Sequence, residues 1–144
     1  MASKVSPHAR ADYPHIVSIQ TRWSDNDIFG HINNVVFYSY FDTVVNNYLI
    51  EAGGFDIQND PVIGLAVETH CEFSNPVAYP DKLEAGLRIG HLGNSSVRFE
   101  IGIFREGEDT ASAYGHFVHV FVDRESNKSV PIPDTIRAAL EQLT

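Results

Sequence analysis

The sequence contains a single cysteine, Cys71, among its 144 residues. One cysteine excludes an intramolecular disulfide and a zinc site built on cysteine pairs, and it is typical of a reducing, cytoplasmic location. Long hydrophobic runs are also missing, because polar side chains such as Ser39 and Asp42 interrupt the most apolar segment, residues 35–50. A membrane-spanning helix needs about 20 apolar residues, so we expect no membrane partner.

Basic residues are scarce as well, since ten Lys and Arg stand against nineteen Asp and Glu and give a net charge of −9. A field of this sign repels polyanions, so we predict that nucleic acid is not a partner. His116 and His119 are possible metal ligands, but they are three residues apart in a predicted strand and should point to opposite faces, so we expect no bound metal. The remaining composition, 43% hydrophobic and 20% charged, indicates one globular domain over residues 1–144, of which 1–12 form a flexible lead-in.

One long helix is predicted in the first half of the chain. From Val35 onward, polar residues recur every three or four positions while apolar residues fill most of the remaining arc. Asn33 or Asn34 can cap the first turn by accepting an unpaired N–H. Gly53 and Gly54 supply the permissive backbone that ends a helix, so we expect one of roughly 18 residues.

Alternation of apolar and polar side chains predicts five strands around this helix. One strand precedes the helix at residues 17–23, and the others cover residues 63–73, 83–89, 97–103 and 111–123. Short links between the later strands favour antiparallel pairing, and residues 133–143 form a last amphipathic helix. The sequence therefore predicts an α+β fold in which a five-stranded antiparallel sheet wraps around one long central helix, followed by a short C-terminal helix.

The segment between the first strand and the long helix carries the candidate chemistry. It runs from Trp23 to Asn34 and contains two carboxylates, Asp25 and Asp27, together with His31. The start of a helix presents unpaired N–H groups and a partial positive charge, which stabilise a carbonyl oxygen that gains negative charge during acyl transfer. A neighbouring carboxylate can attack the carbonyl carbon or activate water to do so.

This run, Arg22–Asn34, together with Tyr38, resembles the N-terminal signature of the 4-hydroxybenzoyl-CoA thioesterase-like acyl-CoA thioesterases, which have the hotdog fold. Residues 120–133 resemble the last strand and the tail of that family. The resemblance implies an enzyme that hydrolyses an acyl-CoA thioester to coenzyme A and a carboxylic acid and needs no separate cofactor. It also implies a homodimer or homotetramer whose sites lie at the subunit interface.

The resemblance also implies roles for individual residues. Asp27 matches the catalytic carboxylate of the family, which acts as nucleophile or as general base. The backbone N–H of Asn34 matches the group that polarises the thioester carbonyl, and His31 is a further catalytic candidate. The positions expected to bind the substrate are Gly30, Asn33 and Tyr38.

Two other functions stay open. Plant acyl-carrier-protein thioesterases resemble the same segment, but they carry Asn where this sequence has Phe29. A non-catalytic hotdog protein that binds acyl thioesters would have the same fold. If coenzyme A is part of the substrate, its phosphates need cations, and the candidates are Lys82, Arg88, Arg98, Arg105, Arg124 and Lys128.

Overall fold

A computed structural model of the protein describes residues 8–144. The strands are β1 (His15–Gln20), β2 (Val62–Phe73), β3 (Lys82–Leu92), β4 (Ser96–Arg105) and β5 (Ala113–Asp123). The helices are α1 (Asn34–Glu51) and α2 (Asp134–Glu141). The predicted α+β fold, with its five-stranded antiparallel sheet, long helix and short C-terminal helix, is confirmed.

The five strands pair antiparallel in the order β1-β3-β4-β5-β2. Helix α1 lies against one face of this sheet, which we call the inner face. Phe41 of α1 and Phe99 and Phe117 of the sheet belong to the same buried cluster, and the rings of Phe41 and Phe117 are 5.8 Å apart. Burial of each such side chain contributes about 1.5–3 kcal/mol, so the apolar side of α1 and the inner face hold each other in place.

The antiparallel register brings several chain ends to one end of the sheet. Strands β1, β2 and β4 end there, and β3 and β5 begin there. Helix α1 starts at the same end, because the N–H of Ile32, just before the helix, donates to the carbonyl oxygen of Val77 at 2.8 Å. Val77 lies between β2 and β3. We call this end of the sheet the loop end.

Strand β2 covers its predicted range but does not keep a strict alternation of faces. Strict alternation assigns Leu65, Cys71 and Phe73 to one face, but the register shifts between Ala66 and Glu68. Because this bulge adds one residue, Cys71 and Phe73 face α1, whereas Leu65 faces the opposite side of the sheet. β2 is also an edge strand, and Leu65 and Phe73 remain 41% and 50% exposed.

Strand β1 is shorter than predicted. It ends at Gln20, and Trp23–Asp25 form a single 3-10 turn instead of continuing the strand. The hydroxyl of Thr21 donates to the carbonyl oxygen of Asp81 at 2.6 Å, so the chain stays close to the start of β3 as it leaves β1. The alternation of apolar and polar side chains does not predict this turn, because Trp23 continues the same alternation as the strand.

The first seven residues of the expected flexible lead-in lie outside the described part of the chain. Residues 8–12 contact the sheet. Arg10 donates its N–H to the carbonyl oxygen of Asp109 at 2.8 Å, and its guanidinium pairs with Glu84 at 2.9 Å. Neither α1 nor α2 combines the length and the apolar character that a membrane-spanning helix requires.

Candidate active site

The loop between β1 and α1 is a tight turn closed by its own hydrogen bonds. The N–H of Asp27 donates to the carbonyl oxygen of His31 at 2.9 Å, and the N–H of Gly30 donates to the carbonyl oxygen of Asp27 at 3.1 Å. Gly30 has a φ of +83°, which glycine adopts without the steric cost of a Cβ. The Oδ1 atom of Asp27 accepts the N–H of Phe29 at 2.9 Å. The turn therefore fixes the half-exposed carboxylate of Asp27 and leaves its Oδ2 atom open.

Helix α1 begins directly after this turn, with Asn33 as its cap and Asn34 as its first residue. The Oδ1 atom of Asn33 accepts the N–H of Val35 at 2.9 Å, so the side chain of Asn33 is used for capping. The first N–H groups of a helix have no partner within the helix. The N–H of Asn34 is therefore an available donor at the positive end of the helix dipole.

The buried carboxylate of Asp25 stabilises the loop through hydrogen bonds. Asp25 is 1% exposed and accepts hydrogen bonds from the hydroxyl of Tyr40 at 2.6 Å and from the backbone N–H and Nε of Arg22 at 2.9 and 3.0 Å. Burial raises the pKa of Asp25, but these hydrogen bonds and the charge of Arg22 outweigh it and hold the pKa below its usual value. The carbonyl oxygen of Asp25 also accepts the N–H of Asn33 at 3.0 Å, so this residue ties the loop to the start of α1.

A cavity of about 290 Å³, which we call the apolar cavity, opens beside the start of α1. Its walls are His31, Ile32, Asn34, Phe37, Phe73, Ser74, Asn75, Pro76 and Val77. The rings of Phe37 and Phe73 meet edge-on at 5.2 Å between centroids. Because mostly apolar walls adjoin a helix start, this cavity suits a ligand with a hydrocarbon part and one polar atom that accepts the N–H of Asn34.

The structure brings together some of the predicted site residues and separates others. His31 and Asn34 both line the apolar cavity, and Asp27 is joined to His31 by a backbone hydrogen bond. Tyr38 lies one turn farther along α1, where its half-buried ring stacks on Phe117 at 5.8 Å between centroids. Tyr38 is not among the residues that line the cavity.

Sequence reasoning missed the wall of the cavity formed by residues 73–77. Asn75 and Pro76 indicate a turn after β2 and nothing about its position relative to α1. The position follows from the antiparallel topology, which brings the end of β2 to the start of the helix. Only a prediction of the strand order would have identified this segment.

Other reactive groups lie away from the loop. Burial raises the pKa of the Cys71 thiol to about 12, so Cys71 stays protonated at neutral pH and is a poor nucleophile. His116 contacts Glu68 at 2.6 Å on the outer face of the sheet, whereas His119 is buried on the inner face, so the two histidines point apart as predicted. Within residues 8–144, no three His, Cys, Asp or Glu side chains surround a metal position.

Comparison with known proteins identifies the family to which the chain belongs. The family model of the thioesterase-like superfamily matches residues 21–140. The structure is similar to that of the PA5185 protein of Pseudomonas aeruginosa strain PAO1, with 53% identity, 96% coverage of both chains and a TM-score of 0.94.

Two further solved structures share the architecture. The PA2801 protein of Pseudomonas aeruginosa is 30% identical, with 89% of this chain and 98% of that chain covered and a TM-score of 0.81. Slr0204, a 1,4-dihydroxy-2-naphthoyl-CoA thioesterase from Synechocystis, is 18% identical, with coverages of 89% and 96% and a TM-score of 0.80. At that identity the likeness to Slr0204 shows a common fold.

Proposed function

Because the chain belongs to the thioesterase-like superfamily, we propose that it is an acyl-CoA thioesterase, which hydrolyses an acyl-CoA to coenzyme A and a free carboxylic acid. The observation that carries this proposal is the arrangement at the loop end of the sheet. There the carboxylate of Asp27, the available N–H of Asn34 and an apolar cavity occur side by side. The family supports hydrolysis of a thioester, and the three groups support a mechanism for it.

The start of α1 polarises the substrate in this proposal. The carbonyl oxygen of the thioester accepts the N–H of Asn34 while the acyl group occupies the apolar cavity. When the carbonyl carbon is attacked, its oxygen gains negative charge, which the N–H and the positive end of the helix dipole stabilise. His31, at the wall of the cavity, orients the turn through its carbonyl oxygen.

In this proposal Asp27 acts either as the general base that activates the attacking water or as the nucleophile itself. As general base, its Oδ2 atom takes a proton from water, the water oxygen bonds to the carbonyl carbon, and the C–S bond breaks to release a thiolate that then takes up a proton. As nucleophile, the same oxygen bonds to the carbon first, the thiolate leaves, and water hydrolyses the resulting anhydride. Asp25 takes part in neither form, because it is buried behind the loop.

We also propose that the working unit is a cytoplasmic homodimer or homotetramer with a shared site. Ile28 and Phe29, next to Asp27, are 95% and 78% exposed, and Val67 on the edge strand β2 is 61% exposed. Apolar side chains this exposed, next to an unpaired strand edge, are typical of a surface that a second copy covers. An interface there would bring the loop of one subunit close to its partner.

Thiol release from acetyl-, hexanoyl-, palmitoyl-, benzoyl- and phenylacetyl-CoA tests the proposal, with Asp27→Asn compared in parallel. We expect turnover of one acyl class and a loss of about 10²-fold or more in kcat for Asp27→Asn, because the amide neither attacks nor accepts a proton. Asp134→Asn, an exposed aspartate on α2, is the matched control and should keep full activity.

Full activity of Asp27→Asn would remove Asp27 from the mechanism. Absence of turnover with every acyl-CoA would contradict the proposed function and favour an acyl-carrier-protein substrate or a binding protein.

A further inference from the structure

The turn that carries Asp27 is shaped by its own hydrogen bonds but is not positioned by them. The hydrogen bonds of Asp27 within the turn all join residues 27–31. They fix the conformation of the turn, and they would persist if the whole turn shifted relative to the apolar cavity. The distance from the carboxylate to a bound thioester therefore depends on the contacts at the two ends of the turn, residues 26 and 32.

Both ends of the turn are bound to the segment that joins β2 to β3, residues 74–81, which we call the β2–β3 connection. At one end, the Oδ1 atom of Asn26 accepts the N–H of Tyr79 at 2.9 Å. At the other end, the N–H of Ile32 donates to the carbonyl oxygen of Val77 at 2.8 Å. Asn26 and Ile32 also form an antiparallel bridge with each other, so the two hydrogen bonds hold the base of the turn on the connection.

The β2–β3 connection is itself a wall of the apolar cavity. Its residues 74–77 line the cavity, and Val77 is 1% exposed. The N–H groups of Ser74 and Asn75 both donate to the carbonyl oxygen of Ser112, just before β5, at 2.8 and 3.0 Å. Because the connection is held against the sheet in this way, a turn bound to it keeps a fixed place beside the cavity.

Asn26 differs from Ile32 in how it makes its contact. Ile32 uses its backbone N–H, which any residue except proline supplies, whereas Asn26 uses its side chain. The contact at this end of the turn therefore requires a particular type of residue. Asn26 directly precedes Asp27, and consecutive Cα atoms are about 3.8 Å apart, so the place of Asn26 sets the place of the carboxylate-bearing residue.

We infer that Asn26 is a positioning residue for the proposed hydrolysis, because its amide oxygen holds the turn on the cavity wall and so sets the distance between the Asp27 carboxylate and the carbonyl carbon of the thioester. This inference rests on the proposed function, in which the acyl group occupies the apolar cavity. A reacting group that is displaced by about 1 Å can lose about 10²-fold in rate. Asn26 acts through Asp27 and is not among the site residues that the family resemblance implies.

Kinetics of two Asn26 variants test this role. Asn26→Leu keeps the size of the side chain but removes the acceptor, and kcat for an acyl-CoA should fall about tenfold or more. KM should change less than about threefold, because the cavity and the N–H of Asn34 still bind the substrate. Asn26→Asp keeps an acceptor oxygen and should recover kcat to within about threefold at pH 8, where aspartates are ionised.

Thr21→Val is the matched control. The hydroxyl of Thr21 donates to the carbonyl oxygen of Asp81, also in the β2–β3 connection, at 2.6 Å. The variant therefore removes one hydrogen bond to the same connection, but outside the turn that carries Asp27. A merely structural hydrogen bond at Asn26 would lower stability as Thr21→Val does, and kcat of the control should stay within about twofold of the wild type.

Amide hydrogen exchange of the full chain measures the same contact without turnover. In the wild type the N–H of Tyr79 should be protected from exchange. In Asn26→Leu it should exchange about tenfold or more faster, and exchange of the Ile32 N–H should also speed up, because one contact alone holds the turn less firmly. Thr21→Val should change both rates less than about threefold.

Three results would overturn the inference: equal losses of kcat in Asn26→Leu and Thr21→Val, no recovery in Asn26→Asp, or an unprotected Tyr79 N–H in the wild type. Failure of the proposed function looks different. If no acyl-CoA is hydrolysed but exchange at Ile32 speeds up in Asn26→Leu, the proposed function fails and Asn26 still positions the turn. If Asn26→Leu is fully active while Asp27→Asn is inactive, the proposed function stands and the role of Asn26 is wrong.

Discussion

Replacement of His119 by leucine should stabilise the protein. His119 is 4% exposed on the inner face of β5, and within the described residues neither of its ring nitrogens has a hydrogen-bond partner. Its ring lies 5.1 Å from that of Phe99 and 6.3 Å from that of Phe117, so its nearest aromatic neighbours are apolar. A buried polar group without a partner costs about 1–3 kcal/mol.

The expected gain depends on pH, and the sign follows from the pKa of His119. Burial lowers this pKa below 6.5, and the opposing charge of Asp42 does not compensate for it. The folded protein therefore stays unprotonated at His119 while the unfolded chain takes up a proton below about pH 6.5. Stability linked to His119 is complete above that pH and falls by up to about 1.4 kcal/mol for each unit below it.

His119→Leu removes both the cost of burying a ring without hydrogen-bond partners and the loss of stability in acid. Lost ring contacts with Phe99 and repacking around leucine together cost about 1 kcal/mol. We therefore expect a net gain of about 1 kcal/mol in the free energy of unfolding at pH 7.5. At pH 5.5 the gain should be larger than at pH 7.5, because the wild type has then lost part of the stability that is linked to the neutral form of His119. For a chain of this size, 1 kcal/mol corresponds to a change in Tm of about 2–4 °C.

Thermal and urea unfolding of both proteins at the two pH values, at one fixed protein concentration, measures these differences. Because the two proteins differ only at position 119, the comparison isolates the effect of that side chain. A variant that is less stable at pH 7.5, with a difference that does not grow in acid, would refute the reasoning. Such a result would mean that His119 is hydrogen-bonded in solution.

Two further predictions concern the brace of the loop and the sheet. Tyr40→Phe removes the hydroxyl that donates to Asp25 at 2.6 Å, and it should cost about 1.5–3 kcal/mol in urea unfolding at pH 7. The pKa of Asp25 is lowered in the folded state, so the folded carboxylate stays ionised below the pH at which it is protonated in the unfolded chain. The cost of Tyr40→Phe should therefore shrink only as the pH falls through that lowered pKa, and a cost that stays constant in strong acid would contradict an ionised Asp25. Gly115→Ala places a Cβ against the carbonyl oxygen of His70 in the neighbouring strand and should destabilise the chain by about 3 kcal/mol or more. Gly107→Ala, whose Cβ meets nothing within 4 Å at a φ of +87°, should cost only about 1 kcal/mol, and equal effects of the two changes would contradict the close approach of β2 and β5.

Local patterns were sufficient to predict the elements that depend on neighbours in sequence. Helix α1 follows its predicted course because its apolar arc, its cap and its glycine end are all encoded within residues 33–54. The candidate loop was predictable for the same reason, since Asp27, Gly30 and the start of α1 are close together in the chain. The turn at Trp23–Asp25 was not predicted, because its local hydrogen bonds between Arg22 and Asp25 give no signal in the alternation of side chains, and burial of Asp25 against Tyr40 is a tertiary contact.

The sequence by itself determined the kinds of elements, their order and the residues that form the candidate loop, because periodicity, capping and turn formation act over a few residues. Tertiary structure decided which distant segments meet at that loop. The end of β2 forms one wall of the apolar cavity only because the antiparallel topology brings it to the start of α1. It also decided which face of β2 is buried, since a bulge of one residue reverses the side to which each following side chain points.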